Sequence, residues 1–380
     1  MLTTGCAAFA ACFGIVLSSC TEGGIAPEAG RVSTMSIVIE GEDVATKAGS
    51  DSDARAWETA VSSLDVYLIS GDAVARHERF SSVPSLPYEA LVMYVPVAEY
   101  EVYVLANAPS AAVSVNTKSA LEAVAVSLGN CPLDGSGFVM SGSAGRVSVQ
   151  QGSPTSAGTV AVSRYCSRVR LKSVKNALPS GYASSGALTV KGVFLENVPT
   201  TWTLAGVVNA SSVGSWGNLA GRKSGSSAST AASDFIKGAS AVNPSAYAAH
   251  LAKFPSQGVS VANGATESSA FGWDLYCFPT PNGVAASDQK GPVAATGAVT
   301  ACPRLVVLAT VNGTDYYYPL TLVKSGNKTL ERNTCYDVSI TIRDTGSLDP
   351  NEPVSDGSIY AVVTSPSGTW TSGNPYDEQL

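Results

Sequence analysis

Three residues near the N-terminus have neighbours suited to chemistry done to the chain rather than by it. Cys20 closes the run Val16-Leu17-Ser18-Ser19-Cys20 and leads into polar Thr21-Glu22-Gly23-Gly24. A thiol placed there can carry lipid, and buried acyl chains hold a protein to a bilayer at about 0.8 kcal/mol per CH₂. Lys47 and Arg55 lie in Val44-Ala45-Thr46-Lys47-Ala48 and Ser52-Asp53-Ala54-Arg55-Ala56. The small residues around each let a trypsin-like protease specific for Arg or Lys engage an extended chain. The competing reading is that both lie in a solvated loop where a nick has no consequence.

Chemistry done by the chain finds no constellation. His77 and His250 are the only histidines, and neither segment holds a nucleophile motif such as GxSxG. There is no P-loop and no dinucleotide fingerprint. Beyond the leader cysteines Cys6, Cys12 and Cys20 stand Cys131, Cys166, Cys277, Cys302 and Cys335, an odd set without a CxxC pair or zinc spacing. They read as small buried hydrophobes, with a disulfide as the alternative in an oxidising compartment. Asp344, Asp349, Asn351, Glu352 and Asp356 offer oxygen to Ca²⁺, but the spacing is not that of an EF-hand and Pro350 and Pro353 mark a linker. No enzymatic activity, metal or cofactor is expected. The net charge of −7 leaves no basic stripe for phosphates, which argues against nucleic acid as a partner.

The elements that must position these residues are strands. The 380 residues exceed what one core usually serves, and the composition is 45% hydrophobic but only 14% charged, with 36 glycines. This predicts an all-β protein with minor helix. Residues 1–20 form a leader whose apolar core, 7–17, is too short to span a bilayer. Leu17-Ser18-Ser19-Cys20 resembles a bacterial lipobox, although no Lys or Arg precedes the apolar run; an ordinary secretory signal is the alternative. Residues 21–56 form a tether and a first strand over 32–40, with Met35, Ile37 and Ile39 on one face. Residues 57–163 form an N-terminal domain, with strand patterns at 64–69, 93–96, 100–107, 138–142 and 159–162. One helix is expected over 117–128, capped by Asn116 or Thr117. Residues 164–380 form a C-terminal domain, with strands at 188–195, 304–311, 336–342 and 358–364, a flexible insertion near 204–245 and a polar tail. Asn312-Gly313 marks a hairpin turn. Arg168, Arg170 and Lys172 share one strand face, as a contact between domains or subunits or as a solvated face. Tyr316, Tyr317 and Tyr318 read as cross-strand packing, with sugar stacking as the alternative.

These features together resemble the Bacteroidetes fimbrillins, the FimA-like class of fimbrial subunits. The resemblance rests on the lipobox at Cys20, the short strand followed by Thr46-Lys47-Ala48, Leu64-Asp65-Val66-Tyr67-Leu68 and Tyr103-Val104-Leu105-Ala106-Asn107. It also rests on Glu331-Arg332-Asn333-Thr334-Cys335-Tyr336-Asp337-Val338 with Asp349-Pro350-Asn351-Glu352-Pro353 and Trp370. It implies two β-sandwich domains of transthyretin-like topology and export as a lipoprotein to the outer membrane. It further implies removal of the first strand by an Arg- or Lys-specific protease, and polymerisation when a neighbouring subunit's strand fills the gap.

Two function classes follow. The first is a structural fimbrial subunit whose partners are other subunits, the processing protease and, through the lipid anchor, the outer membrane. The second is a fimbrial tip or minor subunit, or a surface lipoprotein adhesin, with a glycan or protein receptor on host or bacterial surfaces. The insertion and the polar, non-alternating tail favour the second; the absence of any catalytic constellation suits both.

Overall fold

The computed structural model describes residues 32–41, 55–131, 133, 137–185, 188–196, 198–199, 201–206, 216–217, 248–279, 303–322, 330–348, 354, 357–364, 371–372 and 376–379. Cys20, Lys47, Cys302, Trp370 and most of the 204–245 stretch lie outside them.

The described chain is all-β with short helical turns. Its N-terminal half holds β1 (Val32–Gly41), β2 (Leu64–Ser70), β3 (Ala73–Phe80), β4 (Tyr88–Pro96), β5 (Glu99–Ala106), β6 (Ala125–Ser127), β7 (Met140–Ser148) and β8 (Thr155–Arg164). Seven of these form one sheet in the order β3-β2-β5-β7-β8-β1-β4. The sheet bends around an inner core that includes Met35, Ile37, Ile39, Val66, Val92, Val104 and Val160. At the bend β7 and β8 share only two residue pairs. Gly142 follows directly, where a Cβ would run into the Ala161 carbonyl. β2 is buried on both faces: Leu64, Val66 and Leu68 line the inner core, while Tyr67 and Ile69 join the larger core shared with the C-terminal half.

That half follows after two residues. Its strands are β9 (Ser167–Asn176), β10 (Leu188–Glu196), β11 (Val198–Pro199), β12 (Thr201–Thr203), β13 (Trp216–Gly217), β14 (Ala252–Lys253), β15 (Val259–Val261), β16 (Thr266–Glu267), β17 (Trp273–Cys277), β18 (Arg304–Val311), β19 (Thr314–Thr321), β20 (Thr334–Ile342), β21 (Ile359–Thr364), β22 (Thr371–Ser372) and β23 (Tyr376–Gln379). One sheet runs β14-β10-β18-β19 with β15 beside β10; another runs β16-β9-β20-β21-β23 with β17 and β22 attached. Both contribute to one continuous apolar core. Asn312 and Gly313 both take left-handed φ, 50° and 79°, as a two-residue hairpin turn between β18 and β19 requires.

Several sequence expectations need correction. The helix expected over 117–128 is only α1 (Lys118–Glu122). Thr117 caps it, its Oγ1 accepting from the Ala120 N–H at 3.1 Å. Valine at 124 and 126 then turns the chain into β6, because a β-branched side chain packs better on a pleated surface. β6 pairs with β12, tying the two halves together. β3 and the run of short elements from α2 (Ala248–Leu251) through β17 lie where the sequence analysis places no element. The tail is not merely polar: β23 adds to the edge of β21.

Candidate functional site

The candidate site is β1 and what surrounds it. β1 lies inside the sheet, antiparallel to β4 and parallel to β8. Its residues alternate: Met35, Ile37 and Ile39 are fully buried, while Val38 faces out. Full burial of each of the three contributes about 1.5–3 kcal/mol. The ladder gives β1 a second role. Among the described residues β4 pairs with no strand except β1. Taking β1 out therefore opens both a row of backbone groups on β8 and one on β4, above an apolar trough. Unpaired strand edges of this kind accept another strand, which restores ladder and core together.

The outer face of the same pair mixes polar Thr34, Ser36 and Glu89 with exposed apolar side chains. Val32, Val38, Leu91, Met93, Tyr94 and Val97 make up six of the seven large hydrophobics exposed among the described residues, and Tyr94 is 69% exposed at a left-handed φ of 57°.

Downstream of β1 the chain re-enters the described structure at Arg55. Its side chain, half-exposed, reaches Asp274 of β17 at 3.2 Å. A 3-10 turn follows at Ala56–Thr59, and Glu58 within it is fully buried. The Glu58 carboxylate accepts from Arg168 Nη1 at 3.0 Å and from the Tyr276 hydroxyl at 2.7 Å. Its backbone carbonyl accepts from Arg164 Nε at 2.8 Å. Trp57 packs edge-on against Phe138 and Tyr276, ring centres 5.2 and 5.6 Å away. Burial raises the Asp274 carboxyl above its usual range, against the pull of Arg168 and Arg55. Burial, the Glu58 charge and their hydrogen bond push the Tyr276 phenol up, so it stays a donor.

The basic cluster of β9 is thus not a solvated face. Arg168 and Arg170 are buried, and Arg170 makes two 2.7 Å bonds to Asp337 of β20; Lys172 alone keeps a half-exposed side chain. Arg332 ties the C-terminal half to β8, donating to the Ser163 carbonyl at 2.7 Å and lying 4.4 Å over the Tyr165 ring. Sequence reasoning missed Glu58 and Asp274. A glutamate three residues after Arg55 is half of a capping pattern, since Glu58 Oε2 accepts from the Arg55 N–H at 3.2 Å.

The remaining groups with chemical potential are occupied in packing. His77 Nε2 stands 2.9 Å from the buried Asp65, and His250 Nε2 donates to the Cys131 carbonyl at 2.6 Å. Cys131, Cys166, Cys277 and Cys335 are buried and free, and burial pushes the Cys131 and Cys335 thiols up to about 12. Tyr317 and Tyr318 are fully buried. Among the described residues no group of His, Cys, Asp or Glu side chains converges to hold a metal, and no helix is long and apolar enough to cross a membrane.

No protein-family model and no curated protein matches the sequence. Solved structures do match. A candidate cell adhesion protein of Bacteroides eggerthii superposes with a TM-score of 0.58 at 19% identity, covering 91% of this chain and 98% of that one. A second, from Parabacteroides distasonis, gives 0.57 at 15% identity, covering 89% and 98%. A fimbrilin of Porphyromonas gingivalis gives 0.53 at 14% identity, covering 90% and 99%. Three superpositions of nearly whole chains on nearly whole chains, at identities this low, share an architecture rather than a site: this chain has the fold of the fimbrilin-like proteins.

Proposed function

We propose that the protein is a structural subunit of a cell-surface fimbria. In this reading it is exported with a lipid on Cys20 and held at the outer membrane. A trypsin-like protease then cuts at Lys47 or Arg55, and the subunit polymerises when a neighbour's strand replaces β1. The observation that carries the reading is the place of β1: an N-terminal strand supplies three buried side chains and the only ladder partner that β4 has among the described residues. A cut after β1 converts a self-satisfied sheet into one whose missing strand must come from elsewhere. The cut alone does not expel β1, because its two ladders still hold it, so exchange is slow and depends on protein concentration. The fimbrilin-like fold supports the reading.

The membrane step has its own test. Cys20→Ala is expected to move the protein from the membrane fraction to the soluble fraction in detergent phase partition. Unchanged partition of that variant would remove the lipid anchor from the account. A protease-treated protein that stays monomeric and binds glycan would favour the adhesin over the fibre subunit.

A further inference from the structure

Of the two basic residues offered for the cut, only Arg55 lies in the described structure, and its chemistry there is already engaged. Cleavage after Arg55 needs three things from that residue. Its carbonyl must be free for the protease to polarise, its guanidinium must enter the protease's specificity pocket, and the residues beyond it must lie extended. None of these is met. The Arg55 carbonyl accepts from the Glu58 N–H at 2.9 Å. The guanidinium bonds Asp274 through Nε and Nη2, each at 3.2 Å. Ala56–Thr59 is a 3-10 turn, pinned by Glu58 on Arg168 and Tyr276. To present this bond, the turn must first lift Glu58 out of its buried ion pair.

We infer that Arg55 is not the processing point: it stays on the mature chain as the latch that fastens the new N-terminal segment to β17 of the C-terminal half. This rests on the proposed removal of β1 and sharpens it. Any cut at a basic residue that frees β1 falls before Arg55. Between Gly41 and Arg55 the sequence has one such residue, Lys47. The processing enzyme must then accept lysine, and a strictly arginine-specific protease leaves β1 attached. Through this latch the residues from Arg55 onward remain docked while β1 leaves.

Limited digestion of the full-length protein with trypsin tests this, since trypsin accepts both residues. The initial rate of each cut is followed by intact mass and N-terminal sequencing. The Arg55–Ala56 bond is expected to be cut about a hundredfold more slowly than an undocked lysyl or arginyl bond, because proteolysis tracks the population of the open turn. Asp274→Asn and Asp274→Ala should each speed the cut after Arg55 by about tenfold or more by the same linkage. Asp315→Ala, which breaks the distant pair with Lys191, should not. Rapid appearance of Ala56 as the new terminus in the unaltered protein would overturn the inference without needing any variant to fold. So would an unchanged Arg55 rate in both Asp274 variants. The two readings fail separately. Fibres whose subunits begin at Ala56 would uphold strand removal and sink the latch. A chain cut only before Arg55 that never assembles would uphold the latch and sink strand removal.

Discussion

Arg168→Met is expected to lower the stability of the protein by about 3–5 kcal/mol, the usual cost of leaving one member of a buried ion pair behind. The physical reason is the position of Glu58. Its carboxylate is fully buried, and Arg168 is the cation at 3.0 Å. The Tyr276 hydroxyl still donates to it at 2.7 Å, but a neutral donor does not replace a charge. The measurement is the denaturant midpoint at constant slope. Adding Glu58→Gln to Arg168→Met should restore most of the loss, because the stranded charge is gone and the amide can still meet Tyr276. A double-mutant cycle reads this coupling directly. Additive losses would mean that the pair does not fasten the two halves. The pair need not add net stability over a well-packed apolar pair; its role is to fix which faces meet.

The second large effect concerns β1. Truncating a buried Met or Ile to Ala costs about 2–5 kcal/mol. Met35, Ile37 and Ile39 lie on one strand in one core, so their losses need not add, but the triple alanine variant should cost more than any single change. In the uncut chain this shows as a lower unfolding midpoint. After the cut it should show as faster departure of the strand, because the ladders to β4 and β8 remain but the trough no longer holds the side chains. The expected outcome is that the cut triple variant loses the 32–41 peptide on gel filtration while the cut parent retains it. Equal retention by both would mean that the ladders, not the apolar side chains, hold β1.

Both effects depend on features of unequal visibility in the sequence. The buried face of β1 was legible because Met35, Ile37 and Ile39 alternate with Thr34, Ser36 and Val38, and one side of a sheet forces that period. The same held for β2, β10, β18 and β20, whose apolar runs are long. β3 was not legible: Arg76, His77, Glu78 and Arg79 fall in one edge strand, where charge is tolerated and discourages unwanted pairing. β23 escaped for the same reason, as Tyr376-Asp377-Glu378-Gln379 sits at a sheet edge. The alternation of Arg168 and Arg170 with Val169 and Leu171 was visible, but the choice between water and a partner was not. That choice is made for Arg168 by Glu58, 110 positions away, and for Arg170 by Asp337, 167 positions away. That β1 is the sole ladder partner of β4 among the described residues is likewise a property of topology, since sequence patterns show which face a residue takes and not which strand lies beside it.

The central claim is that β1 is a replaceable strand. The direct measurement is mass spectrometry of the protein in assembled fibres, recovered from cells and separated under denaturing conditions. Subunits are expected whose chains begin after residue 41, with an extended segment of a neighbouring subunit cross-linking to β4 and β8. Fibres built from subunits that still carry residues 32–41 covalently attached would contradict it.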